Sequence, residues 1–177
     1  KSKVAKNIIT VYDMIHELFP DQMNKKDPTS TIKRIAIEKS DHIISISNST
    51  KRDLIRFYNI DPNKISVIPL GFELETDRNI IPFKTHKPFL LYVGERYTYK
   101  NFDKMLTAFS SSKPIKNNFR IIAFGGKPFN LSEEEKIKNL GLSLEQVIQI
   151  SGDDKLLSSL YKSATAFILP SLYEGFG

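Results

Sequence analysis

Short β-branched runs alternate with amphipathic helical stretches along almost the whole chain, and this alternation limits the fold more than any other feature. Asn7 to Tyr12 (NIITVY) reads as a buried strand. Thr31 to Lys39 carries Ile32, Ile35 and Ala36 at helical spacing, and His42 to Ser47 (HIISIS) is strand-like again. A helix opens at Asn48-Ser49-Thr50, whose amide and hydroxyls suit an N-cap, with Leu54, Ile55 and Tyr58 as its apolar stripe. Asp61-Pro62-Asn63 is a turn before the strand Ile65 to Ile68.

The rhythm resumes with FLLYVG from Phe89 and a helix over Asn101 to Ser110 bearing Phe102, Met105, Leu106 and Phe109. It continues with FRIIAFGG, a helix opened by a Ser132-x-x-Glu135 capping box, and VIQISG. A helix with Leu156, Leu157, Leu160, Tyr161 and Ala164 on one face then leads to TAFILP. Strands and helices in this order predict parallel sheets covered by helices on both faces, an α/β fold of the doubly wound kind.

Residues 72–87 hold prolines and mixed charge without a period and read as a linker, giving a first domain over 1–71 and a second over 88–177. The 177 residues include no cysteine, which removes disulfides, thiol chemistry and cysteine-ligated zinc. Three histidines, none at i,i+4 spacing, argue against a histidine metal site, and no apolar run is long enough to span a bilayer. The net charge of +6 is spread mostly over lysines set among acids. A solvated basic surface explains it, and attraction to anionic headgroups fits as well. A nucleic-acid interface would call for arginine clusters with interleaved aromatics, which the sequence lacks.

In open α/β sheets ligands sit beyond the carboxyl ends of the strands. The loop from Gly94 to Asn101 places Arg96 and Lys100 there, suited to an anion such as a diphosphate, although both also read as ordinary surface cations. Gly125-Gly126 allows close backbone approach to a ligand, which is weak evidence alone. Asp153-Asp154 resembles a carboxylate pair but opens a helix, so capping is the stronger reading. The chain ends PSLYEGFG, a carboxylate on a glycine-rich loop with no helix after it to close the unit, which suggests a fragment.

KSDHIISISNSTKRDLI, KISVIPLGF, FLLYVGERYTYKNFDKMLTAF and DDKLLSSLYKSATAFILPSLYEGFG together resemble glycosyltransferase family 4, from Ile9 onward and in order. These are retaining, nucleotide-sugar-dependent enzymes of the GT-B fold, with two facing Rossmann-like domains. The resemblance implies that Glu174 contacts donor-sugar hydroxyls and that Gly175, Phe176 and Gly177 share its loop. Lys100 falls at the family's diphosphate lysine. Arg96 is a shifted equivalent of its arginine, because Glu95 follows Gly94. Gly125 and Gly126 match the glycine loop near the nucleotide, and Ile150 to Asp153, with Gly152 and Asp153 in it, match the segment whose backbone lies against the base. Tyr12 stands where a histidine is frequent, and Asp13 keeps the acid beside it as a second catalytic candidate.

The family's second glutamate would fall beyond Gly177 and its N-terminal glycine loop before Lys1, so both domains are expected to be incomplete and this piece alone inactive. The implied reaction moves a hexose, with mannose the guess, from a nucleotide diphosphate sugar to a glycan or lipid-linked saccharide. It implies neither cofactor nor metal, no nucleic acid, and work in polysaccharide or lipopolysaccharide synthesis in the cytoplasm, peripheral to the inner membrane face. Two other readings stay open: a nucleotide-sugar-binding module without turnover, and a GT-B sugar-nucleotide epimerase. A dinucleotide enzyme would want G-x-G-x-x-G after the first strand, and the sequence has none.

Overall fold

The computed structural model describes residues 5–71, 80–96 and 98–176. Residues 72–79 of the expected linker, and Gly177, lie outside the described residues. The chain divides into two compact units, Lys1–Glu73 with Tyr173–Gly177, and Leu74–Leu172.

In the first unit, β1 (Ile8–Val11) leads through a short helix α1 (Ile15–Leu18) to α2 (Thr29–Lys39), followed by β2 (His42–Ser45), α3 (Asn48–Tyr58) and β3 (Ile65–Val67). The three strands pair in parallel in sequential order, Ile9 opposite Ile43 and Ile43 opposite Ile65. Val11, Met14, Ile37, Ile43, Leu54 and Ile65 form the buried core. Helix α3 starts at Asn48 as expected, but its cap is Ser47, one residue before the expected cluster, with Ser47 Oγ accepting from Thr50 N at 3.1 Å; it ends on Asn59 in the left-handed region at φ 51°.

The second unit runs β4 (Phe89–Val93), α4 (Phe102–Ser111), α5 (Lys113–Asn118), β5 (Arg120–Phe124), α6 (Leu131–Asn139), β6 (Val147–Ile150), α7 (Asp154–Ser163) and β7 (Ala166–Phe167). Its strands are parallel in the order β6-β5-β4-β7. Alternate residues of the central strands serve two cores. Tyr92, Ile121 and Ala123 pack with Phe102, Met105, Leu106 and Phe109, whereas Phe89, Leu91, Ile122 and Phe124 pack with Leu160. Helices therefore cover both faces here, as the unbroken apolar runs predicted.

Four local expectations are corrected. The cap of α6 is Asn130, not Ser132: the Asn130 side chain accepts from Glu133 N at 3.0 Å, and Glu133 reaches back to Asn130 N at 2.9 Å. Helices α1 and α5 lacked an apolar stripe and were unforeseen. The last strand pairs only over Ala166–Phe167. Ile80, Ile81 and Phe83, placed in the linker by sequence, are strapped to α7, with Ser159 Oγ donating to Ile81 O at 2.6 Å and Phe83 N to Ser163 Oγ at 2.8 Å.

Candidate functional site

The order β6-β5-β4-β7 reverses direction at β4, since β5 lies on one side of it and β7 on the other. The crevice beyond the ends of β4 and β7 is the switch point where ligands enter such sheets. The loops after these two strands are stitched together. Asn101 Nδ2 donates to Pro170 O at 2.9 Å, and Leu172 N to Tyr99 O at 2.8 Å.

Gly94 ends β4 at φ 123°, its amide bonded to Phe124 O at 2.9 Å. A Cβ on Gly125 would stand 3.7 Å from Gly94 N, so the two glycine turns lie against each other. The Tyr92 hydroxyl donates to Glu95 O at 2.5 Å and fixes the entry to the loop. Lys100 is half-buried, its Nζ 5.4 Å from the Tyr99 ring centroid.

Arg96 is placed otherwise than a surface cation would be. Its side chain is 6% exposed, with Nε on Glu133 Oε1 at 2.7 Å and Nη2 on Lys127 O at 2.7 Å. Burial acts to raise the Glu133 carboxyl, but the Arg96 guanidinium and the Asn130 amide outweigh it and hold the pKa below its usual value. Gly152 and Asp153 follow β6. Asp153 Oδ1 accepts from Leu156 N at 2.9 Å, so the capping reading of this carboxylate is the one realised.

The other candidates gather in the first unit. Asp13 Oδ1 caps Ile15 N at 3.0 Å, and Lys33 Nζ reaches Asp13 O at 3.0 Å and Glu17 Oε2 at 2.9 Å. Asp13 also lines a cavity of about 410 Å³ with Tyr12, His16, Thr29 and Lys33. Gly175 is buried against β1's end: a Cβ there would fall 2.1 Å from Tyr12 O. Thr50 Oγ1 lies 3.2 Å from Tyr12 O and 3.4 Å from Gly175 O. Beside them burial, reinforced by the Asp53 carboxylate, pushes the Tyr173 phenol up to about 12. Asp53 Oδ2 and the Tyr173 hydroxyl are buried, and neither completes a hydrogen bond of normal geometry. Glu174 is half-buried, and Phe176 is exposed.

The structure thus gathers Gly94, Arg96, Lys100, Gly125, Gly126, Gly152 and Asp153 in one unit, and Asp13, Glu174, Gly175 and Phe176 in the other. Sequence reasoning missed Glu133 and Gln149, and took Ser151 only as backbone of the segment Ile150 to Asp153. Gln149 Nε2 bonds Ser151 Oγ at 2.8 Å and lies 3.3 Å from Gly125 O. Its signal was a lone amide inside the apolar strand VIQI. Among the described residues no group of three or more His, Asp or Glu side chains converges as a metal site, and no helix is long and apolar enough to cross a membrane.

The chain is 25% identical over 170 residues to the O-antigen chain mannosyltransferase RfbU of Salmonella typhimurium, covering 96% of this chain and 46% of that protein. The structure of WaaG, a glycosyltransferase involved in lipopolysaccharide biosynthesis, superposes with a TM-score of 0.68 at 19% identity, covering 96% of this chain and 51% of that one. The lipopolysaccharide outer core galactosyltransferase WaaB gives 0.63 at 20% identity over the same shares. The chain therefore spans about half the length of these proteins, and the fold it shares with them is GT-B. A glycosyltransferase family 4 model matches residues 3–76, and the model described as glycosyl transferases group 1 matches residues 73–177. With that second match covering more than half of the sequence, the chain belongs to the glycosyl transferases group 1 family.

Proposed function

We propose that the protein is a retaining glycosyltransferase that moves a hexose, mannose in the first instance, from a nucleoside diphosphate sugar to a glycan or lipid-linked saccharide. The observation that carries this is the parallel sheet of the second unit, where the Gly94 and Gly125-Gly126 turns lie against each other beyond the carboxyl ends of β4 and β5, and Lys100 stands on the loop that follows β4. The likeness to an O-antigen mannosyltransferase supports the sugar and the setting.

In this reading the bond from the sugar's anomeric carbon to the diphosphate breaks and an acceptor hydroxyl oxygen bonds that carbon. The hydroxyl proton passes to the departing phosphate. Negative charge grows on the diphosphate as positive charge grows on the sugar. The Lys100 ammonium and the glycine-loop amides stabilise the first, and the Glu174 and Asp13 carboxylates serve the second. The Lys100 cation and the amides take the place of a metal, and the reaction runs at the cytoplasmic membrane face.

Calorimetric titration of the full-length protein with GDP, UDP and ADP, with and without Mg²⁺, tests the reading. One diphosphate is expected to bind without metal, and Lys100→Ala to weaken it by about tenfold, the worth of a charge-assisted hydrogen bond. No binding to any of the three overturns it.

A further inference from the structure

Every guanidinium nitrogen of Arg96 faces an acceptor on a neighbouring turn or helix. Nε and Nη2 hold Glu133 at 2.7 and 3.3 Å, Nη2 also donates to Lys127 O at 2.7 Å, and Nη1 lies 3.4 Å from Gly125 O. The Phe129 ring lies 4.8 Å from the guanidinium carbon and Phe102 5.9 Å. Turning this cation toward a phosphate would strand the Glu133 carboxylate in a partly buried pocket beside a like charge. A diphosphate would gain a cation and meet an anion in exchange.

The same contacts have a second effect. Three successive carbonyls are tied to protein side chains: Gly125 O by Arg96 and Gln149, Gly126 O by Gln149 and Ser151, and Lys127 O by Arg96. Gly125 and Gly126 stand at φ 90° and 69°, conformations open to glycine. The Gly126 and Lys127 amides donate to no described residue. A turn with its carbonyls fixed and consecutive amides left over is a backbone cradle for an anion.

We propose that Arg96, locked by Glu133, is a positioning residue that holds the Gly125–Lys127 turn so that its amides receive the donor's diphosphate, and is not itself a phosphate ligand. The assignment rests on the donor-domain reading above, and it gives Glu133, Gln149 and Ser151 a share in a site that they do not touch.

The test uses the full-length protein and the variants Arg96→Lys, Glu133→Gln and the pair. Gln can keep the helix cap, and Lys keeps the charge but loses the planar fork. In nucleotide-free protein, hydrogen exchange is read at the Gly125 amide, which bonds Ile150 O at 3.0 Å. Both single variants are expected to lower its protection. Titration with the preferred nucleoside diphosphate is expected to show about tenfold weaker binding for each single variant, and the pair no weaker than either alone. Full affinity in Arg96→Lys, or tighter binding in Glu133→Gln, is the behaviour of a direct phosphate ligand and overturns the assignment. If wild type binds no nucleoside diphosphate, the donor reading fails instead. The exchange result alone then decides whether the clamp holds the turn, and unchanged protection ends the proposal.

Discussion

Asn101, left-handed at φ 60°, turns its side chain away from the helix it precedes and donates from Nδ2 to Pro170 O at 2.9 Å. One residue thereby sets the start of α4 and fastens the loop after β4 to the exit of β7. Asn101→Ala loses both the hydrogen bond and the tolerance for this backbone, at a cost of about 2 kcal/mol. Asn101→Gly keeps the backbone and is expected to recover about half of that. Urea unfolding of the two variants separates the contributions.

Gly175→Ala places a methyl 2.1 Å from Tyr12 O, a backbone atom that no rotamer change can move aside. The Tyr173–Gly177 segment should shift, with a loss of about 1–3 kcal/mol. The check is a phenolate titration. Tyr173 and Tyr58 are both pushed up to about 12, and the displaced Tyr173 should return toward about 10, removing one late phenol from the curve. The sign for wild type follows. A folded pKa raised above the unfolded one gives stability that is complete below about 10 and lost as pH climbs to about 12.

Lys33 and Glu17 form an ion pair at 2.9 Å in which the Glu17 side chain is only 6% exposed. Burial acts to raise the Glu17 carboxyl, but hydrogen bonds from Lys33 and Tyr58 and the Lys33 charge hold it below its usual value. Lys33→Met leaves that carboxylate half-satisfied and should cost about 2 kcal/mol at neutral pH. Because the lowered pKa contributes stability above the unfolded value and loses it as pH falls, the gap to wild type should narrow below about pH 4. Unfolding midpoints at pH 7 and pH 3.5 test this.

Asn130→Ala should destabilise by about 1 kcal/mol through loss of the α6 cap, whereas Ser132→Ala should change little. Thermal unfolding of both decides which residue opens the helix.

That pair of variants also marks where sequence stops being legible. Asn130 and Ser132 are both competent caps with a glutamate three residues on. What chooses between them is the extended backbone at Asn130, φ −84° and ψ 168°, which composition does not carry. The strands Phe89–Val93 and Arg120–Phe124 were readable because burial on both faces leaves an unbroken apolar run. The short helix Lys113–Asn118 has no buried residue, hence no stripe to find. The ion pair of Arg96 with Glu133 was not legible because that carboxylate lies 37 positions later. Local pattern gave the elements and the loops that matter, while contacts across the sheet edge decide what each side chain does there.

Thr50 Oγ1 meets Gly175 O across 125 positions of chain. The strands of the first sheet are neighbours in sequence and can assemble as they emerge during synthesis, yet Tyr12, Asp13 and Thr50 are covered by Gly175, made more than a hundred residues later. Closing a loop of that length costs little more than closing one of half the length, about 0.6 kcal/mol. Its effect is therefore on timing: the contact of Thr50 with Gly175 has to wait until the residues of the second sheet have been synthesised.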